Sequence, residues 1–318
     1  MMPYKKIYTK LVSTVELSHE DWLKYRKQGI GGSDAGAILG FNKYKSPHAV
    51  YIDKTTDYVE DLSENEAVYW GTVLEDIVAK EFEKRTGKKV QRVNAVLQNI
   101  EHPFMLANLD RAIVGENAIL ECKTANQYLS ADWDGEEIPA AYIWQCQHYM
   151  AVTGADVCYI ACLVGGQKFV HKEIKRDEEL IRHLTKKEAE FWEFNVLANE
   201  PPLLTGMECD SDYVKHKFPQ DDGECVMLTS GVILAAERYL ELCDSEKEIK
   251  LKKEQYANEI KAFMEEAETG LCDTMKVSWK TVNSQRLDTT LLKKECPEIY
   301  EKYSNTSSSR RFTIKEVS

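Results

Sequence analysis

At 318 residues, with 43% hydrophobic and 30% charged residues, the chain can build one sizeable core with an appendage, or two domains. No run approaches the ~18 apolar residues needed to span a bilayer, and the opening MMPYKKIYTKLVSTVEL lacks the apolar centre of a signal peptide, so a cytoplasmic protein without membrane contact is expected. Nine cysteines without Cys-x-x-Cys spacing argue against a disulfide framework and a structural zinc site, and a net charge of -12 argues against indiscriminate coating of nucleic acid while leaving room for a local basic channel.

Ser18 followed by Glu20 and Asp21 reads as an N-cap opening a short helix through Trp22, Tyr25 and Arg26. Residues 29–40, GIGGSDAGAILG, come next. Glycines let a backbone approach a ligand closely. Ser33 or Asp34 capping the following helix would leave N–H groups for a phosphate, with Arg26 near enough to add a cation. A plain glycine turn with a serine cap gives the same string. Over residues 66–85, Ala67, Trp70, Val73, Leu74, Ile77, Val78 and Phe82 recur at helical spacing, which predicts a buried stripe, and Gly87 stops the helix. Glu75 falls beside that stripe, where an unpaired carboxylate is costly and needs a partner or a metal. Its other reading is a surface acid among Asp76, Lys80, Glu81 and Lys84.

Residues 89–98 predict one strand feeding residues 104–123, FMLANLDRAIVGENAILECK, which read as two short strands joined at Gly115, Glu116 and Asn117. Side chains alternate along a strand, so Glu121 and Lys123 share a face while Cys122 points to the other. The turn brings Asp110 across towards Glu121. Two carboxylates beside a lysine offer a seat for a hard ion such as Mg2+, and the lysine can position or deprotonate a water that attacks phosphorus. A solvated, salt-bridging face is the everyday use of Glu-x-Lys.

Residues 124–137 are polar and predict a loop with Trp133 exposed among acids. Residues 140–153 predict a helix with Tyr142, Gln145, Tyr149 and Val152 within reach of one face. Residues 156–164 predict an apolar strand with Cys158 and Cys162 in the core. A helix and strand directly after the acidic hairpin imply a mixed sheet with helices packed over it. Residues 177–199 predict a long amphipathic helix closed by Pro201 and Pro202, where a first domain, residues 1–202, ends. The remainder, residues 203–318, reads as a polar linker, a long helix or helical hairpin over 228–268 ended by Gly270, and candidate strands at 274–283 and 311–314. Lys and Arg exceed Asp and Glu after Lys276.

Asp110, a gap, then Glu121-x-Lys123 resemble the PD-(D/E)xK nuclease signature, with Leu109 in place of a proline that contributes no ligand side chain. Joined in order by WLKYRKQGIGGSDAGAILG, WGTVLE and YIWQCQ, the chain resembles the lambda exonuclease family and its YqaJ-type viral recombinase branch over residues 21–202. The resemblance implies an α/β (α+β) restriction-endonuclease-like core, a mixed central sheet flanked by helices, followed by a C-terminal helical and small β extension that the compact lambda-type enzyme lacks.

It also implies roles. Arg26 and Ser33 would hold a DNA 5′-phosphate, with Asn108 where some relatives place a serine. Asp110, Glu121 and the main-chain carbonyl of Cys122 would hold Mg2+, or Mn2+ in its place, with Glu75 supporting a second ion. Lys123 would activate or orient water, and Gln145 would steady that lysine or the phosphate. The implied activity is a Mg2+-dependent deoxyribonuclease that degrades one strand from the 5′ end of duplex DNA and leaves a 3′ single strand for recombination. Family members act as ring-shaped trimers paired with a single-strand annealing protein. The alternatives are a structure- or site-specific endonuclease on the same core and a non-catalytic DNA-end-binding module. Iron–sulfur nucleases are disfavoured because the cysteines lack compact cluster spacing.

Overall fold

The computed structural model describes residues 7–57 and 65–315, and the chain divides into two units, residues 1–216 and 217–318. The first unit begins with β1 (Tyr8–Ser13) and α1 (His19–Arg26), where Ser18 accepts from the Asp21 N–H as predicted. The next helix, α2 (Gly32–Ile38), is capped differently from the expectation. Gly31 is its N-cap, and Asp34 reaches back to accept the Gly31 N–H at 3.1 Å, so that amide is already used. After α3 (Pro47–Thr55), α4 (Glu66–Thr86) ends on Gly87 at φ 74°, a left-handed cap that glycine adopts without strain.

The predicted stripe on α4 is only half buried. Val78, Ala79 and Phe82 pack against Ile113, Leu120 and Ala161, whereas Trp70, Val73 and Ile77 lie exposed.

The single strand expected over residues 89–98 is two, β2 (Val90–Arg92) and β3 (Ala95–Asn99), and they belong to different sheets. β1, β3 and β4 (Leu106–Asn108) form an antiparallel three-stranded sheet. The five-stranded sheet runs β2, β5 (Arg111–Ile113), β6 (Ala118–Ala125), β7 (Val157–Val164), β8 (Lys168–Lys175). Its β6–β7 pairing is parallel and the others antiparallel, and α5 (Ala140–Thr153) makes the crossover. This is the mixed sheet flanked by helices that the sequence implied. Asp110 sits where the chain leaves one sheet for the other. The register Arg111 to Leu120 then sets it across from Glu121.

Alternation along β6 sorts its side chains. Ile119 joins the core under α5 with Cys146, Met150, Cys158 and Cys162, while Leu120 and Cys122 face the α4 cluster. Burying each such large side chain contributes about 1.5–3 kcal/mol. Trp133, expected in the open, is 3% exposed in a short 3-10 segment, Gln127–Trp133, with its ring 5.6 Å from that of Tyr142. Its acidic neighbours face solvent while the indole turns inward.

α6 (Glu178–Glu190) continues as a π turn, Phe191–Leu197. The polar stretch expected as a linker contains α7 (Glu208–Lys217). Buried Asp210 on it accepts from Ser46 Oγ at 2.6 Å, and the Tyr213 ring meets His48 edge-on at 4.8 Å. The first unit therefore continues past Pro202 to His216.

The second unit holds one unbroken helix, α8 (Ser230–Met264), then β9 (Thr269–Leu271) paired antiparallel with β10 (Lys276–Ser278), α9 (Thr289–Glu295) and α10 (Pro297–Tyr303). Gly270 lies in β9 instead of ending the helix, and residues 311–314 form no strand. Among the described residues no helix is long and apolar enough to cross a membrane.

Candidate active site

Glu121 is 4% exposed on the α5 face of β6. Its Oε1 accepts from Lys123 Nζ and from Gln145 Nε2, each at 2.6 Å, and Gln145 Nε2 also donates to Tyr149 Oη at 3.0 Å. Lys123 Nζ lies 5.0 Å from the centre of the Tyr142 ring. Burial alone would discharge the Lys123 ammonium, but the charge and hydrogen bond of Glu121 more than offset it, so its pKa is raised. Asp110 Oδ2 accepts from the Cys122 N–H at 2.7 Å. Burial first, then the Glu121 carboxylate, push Asp110 up to about 8. The Cys122 thiol packs on the α4 side and is pushed up by burial and by Asp110, while its main-chain N–H is the group that hydrogen-bonds Asp110.

Glu75 approaches from α4 but is not a free ligand. Arg111, 4% exposed, donates through Nη1 to Glu75 Oε1 at 2.5 Å and to the Asp110 carbonyl at 2.6 Å, while its Nη2 takes Asp76 Oδ1 at 2.5 Å. Among the described residues no three His, Cys, Asp or Glu side chains converge on one ion.

The residues expected at a phosphate come together with this group. A cavity of about 200 Å³ is lined by Trp22, Arg26, Ser33, Asn108, Gln145 and Tyr149, among others. Arg26 Nη2 donates to Ser33 Oγ at 3.3 Å. Asn108 Oδ1 is buried there without a hydrogen-bond partner, the kind of orphan a ligand satisfies. Gly32 permits this convergence, since a Cβ on it would stand 2.4 Å from Tyr149 Cε1. Its backbone thus packs on a side chain of the site, where the sequence had suggested contact with a ligand.

Reading the sequence singled out Arg26, Ser33, Asn108 and Gln145, which line one cavity, and Glu121, Lys123 and Asp110, of which Glu121 joins that cavity through its hydrogen bond to Gln145. It missed Arg111, whose partners Glu75 and Asp76 lie 36 and 35 residues away. Tyr149 was noted only as sharing the Gln145 face, although the Y-x-x-Q-x-Q-x-Y spacing of α5 already set the two one turn apart.

The profile of the YqaJ-like viral recombinase domain matches residues 21–156, which include every candidate position. The YqaJ protein of Bacillus subtilis (strain 168) is 45% identical over 311 residues, covering 97% of this chain and 98% of its own. Among solved structures, the alkaline exonuclease (LHK-Exo) from Laribacter hongkongensis aligns with a TM-score of 0.46 at 22% identity, covering 62% of this chain and 97% of its own. A phage related exonuclease from Haemophilus somnus 129PT aligns at 0.44 and 15% identity, covering 56% and 98%.

Proposed function

Since the chain belongs to the YqaJ-like viral recombinase family, we propose that it is a Mg2+-dependent nuclease acting on duplex DNA ends, degrading one strand from the 5′ terminus. The observation that carries this reading is the single cavity joining Arg26, Ser33 and Asn108 to Gln145, whose amide holds Glu121 beside Lys123. The residues proposed for a phosphate and those proposed for hydrolysis thus meet at Gln145. The polarity, the 3′ single-stranded product, a ring-shaped trimer and an annealing partner rest on the family resemblance, and a cytoplasmic place of action rests on the apolar pattern of the sequence.

The donor set fits Mg2+. Asp110, Glu121 and the Cys122 carbonyl offer hard oxygens, and an Asp110 carboxyl held up to about 8 marks a place short of positive charge. With so few side-chain ligands, the rest of the shell falls to water and phosphate oxygens. Bound there, the ion supplies positive charge to the scissile phosphate.

The chain's own residues do the rest. Gln145 fixes Glu121 by hydrogen bond, Lys123 presents an ammonium that orients water and donates to phosphate oxygen, and Arg111 locks the Asp110 turn to Glu75. Glu75 thereby acts through Arg111 on the position of Asp110. Arg26 and Ser33 receive the terminal phosphate, and the Asn108 amide, turned, donates to it.

The test is product analysis with Mg2+ on a linear duplex labelled at either end, beside a covalently closed circle. Loss of nucleotides from the 5′ ends with the circle intact is expected. Cutting of the circle would turn the assignment to an endonuclease, and binding without cleavage would remove the enzyme reading. Ends bearing a 5′-phosphate should be degraded faster than 5′-hydroxyl ends, and Arg26→Ala should erase most of that difference.

A further inference from the structure

Behind the Arg26–Ser33 wall of the cavity lies a group of charges that the hydrolysis leaves unused. Asp34 is wholly buried, with Lys45 Nζ at 2.9 Å from Oδ1 and Lys54 Nζ at 2.8 Å from Oδ2. Asp53 touches Lys54 at 3.1 Å and Lys45 at 3.5 Å. Arg26 Nη2 stands off at 3.9 Å from Asp34 Oδ1. The Lys54 side chain has 0% exposure, and its Nζ also donates to the main-chain carbonyl of Arg26 at 3.1 Å.

Three cations therefore meet two carboxylates, and one positive charge is left over. Distance decides which cation carries it. Both lysines are in contact with Asp34, whereas Arg26 is beyond hydrogen-bond range of it and is the member of the group that lines the cavity. Asn108 Oδ1, unpartnered in the same cavity, is a second mark of a missing polar ligand.

We propose that Lys54 is the positioning residue of this pocket: by occupying Asp34 and tethering the Arg26 backbone, it keeps the guanidinium free to take a phosphate monoester. The proposal rests on the reading of the pocket given above, but not on cleavage. Without Lys54, the buried Asp34 carboxylate is undercompensated and draws Arg26 into a forked ion pair, which closes the pocket to an anion. Neutralising Asp34 as well releases Arg26 again. A role confined to packing predicts the opposite, since the second substitution would add damage to the first.

The experiment is titration of the full chain, without divalent ions, with a short duplex carrying either a 5′-phosphate or a 5′-hydroxyl. The wild-type chain is expected to bind the phosphorylated duplex at least tenfold more tightly. Lys54→Met should reduce that ratio to within about twofold of unity, and the double variant with Asp34→Asn should restore most of it. Asp34→Asn alone should keep it. If Lys54→Met does not fold, the double variant, which buries no unpaired carboxylate, still has to show the ratio. A full ratio in Lys54→Met, no recovery in the double variant, or loss of the ratio in Asp34→Asn alone overturns the proposal, as does a wild-type ratio of one. A wild-type chain that shows the ratio but never cleaves leaves this inference standing and removes the nuclease reading.

Discussion

Half-buried beside Glu121 at 2.6 Å, Lys123 binds its proton more tightly than a free lysine, so what it offers a substrate at neutral pH is an ammonium. Of the two roles the sequence left open, orienting water fits this setting and removing its proton does not. Lys123→Ala should lower Mg2+-dependent cleavage by about 10²-fold or more, ~2.7 kcal/mol of barrier, while affinity for duplex ends stays near that of the wild type. A rate within about tenfold of wild type in a single-turnover assay contradicts the assignment. Single residues were legible where local periodicity placed them: Glu121 and Lys123 by strand alternation, Asp110 by the hairpin, Gln145 by its helix. Arg111 was not, because an arginine after an aspartate looks like a surface cation until α4 is packed above it. Trp133 failed for the converse reason, since acidic neighbours say nothing of where an indole turns.

Helix α5 does more than cross over the sheet. On its buried side His148 Nδ1 meets Glu188 of α6 at 2.8 Å, and Nε2 meets the Leu106 carbonyl at 2.9 Å. With a carboxylate and a carbonyl as the two partners, the ring donates from both nitrogens and is an imidazolium. Burial alone would discharge His148, but Glu188 by charge and hydrogen bond, with the Leu106 carbonyl, raises its pKa. Burial also raises Glu188, against the pull of His148. Both groups bind protons more tightly folded than unfolded. The His148 contribution is then complete below the unfolded pKa of about 6.5 and is lost as pH rises through the folded value, and Glu188 acts in the same direction above about 4.3. Thermal melting from pH 5.5 to 9 should show a falling midpoint for the wild type and a flatter profile for a His148→Gln, Glu188→Gln double variant; parallel profiles would contradict it. Element boundaries were where reading the sequence failed. β2 and β3 are one alternating string until their partners separate them at Val93 and Asn94, and α7 lacks an apolar stripe because it is held by Asp210.

At the scale of the whole chain, the hydrogen bond from Ser46 to Asp210 decides where the first unit can be cut. Asp210 also accepts from the Thr205 N–H and hydroxyl, each at 2.6 Å, so a chain ending at Glu200 leaves buried Ser46 and His48 without this cover. Residues 1–216 should melt within a few degrees of the full chain. Residues 1–200 should be less stable by roughly 1–3 kcal/mol in denaturant titration, the cost of leaving a buried polar group unsatisfied. Equal stability of the two would return the boundary to the Pro201–Pro202 step that composition suggested. The mixed sheet and its crossover helix were legible in the sequence because each rests on local pattern, but the two strands expected over residues 104–123 are three, β4, β5 and β6, with β5 and not β4 pairing with β6. The split of the strands between two sheets was not legible, since pairing over long separations leaves no periodic trace.

Strand β6 pairs with β7 over its full length and with β5 at Ile119 and Leu120, Asp110 accepts the Cys122 N–H beyond them, and each face is covered by a helix. Helix α1, which carries Arg26, buries none of its residues fully. Amide hydrogens of residues 119–123 should therefore exchange with deuterium only when the whole unit unfolds, whereas those of residues 22–26 should exchange through local opening. On the proposed function, the Glu121–Lys123 pair on β6 shares the lifetime of the fold, and Arg26, the residue proposed to receive the DNA end, does not. Mild warming or a weakening mutation would then blur the choice of DNA end before it slowed hydrolysis.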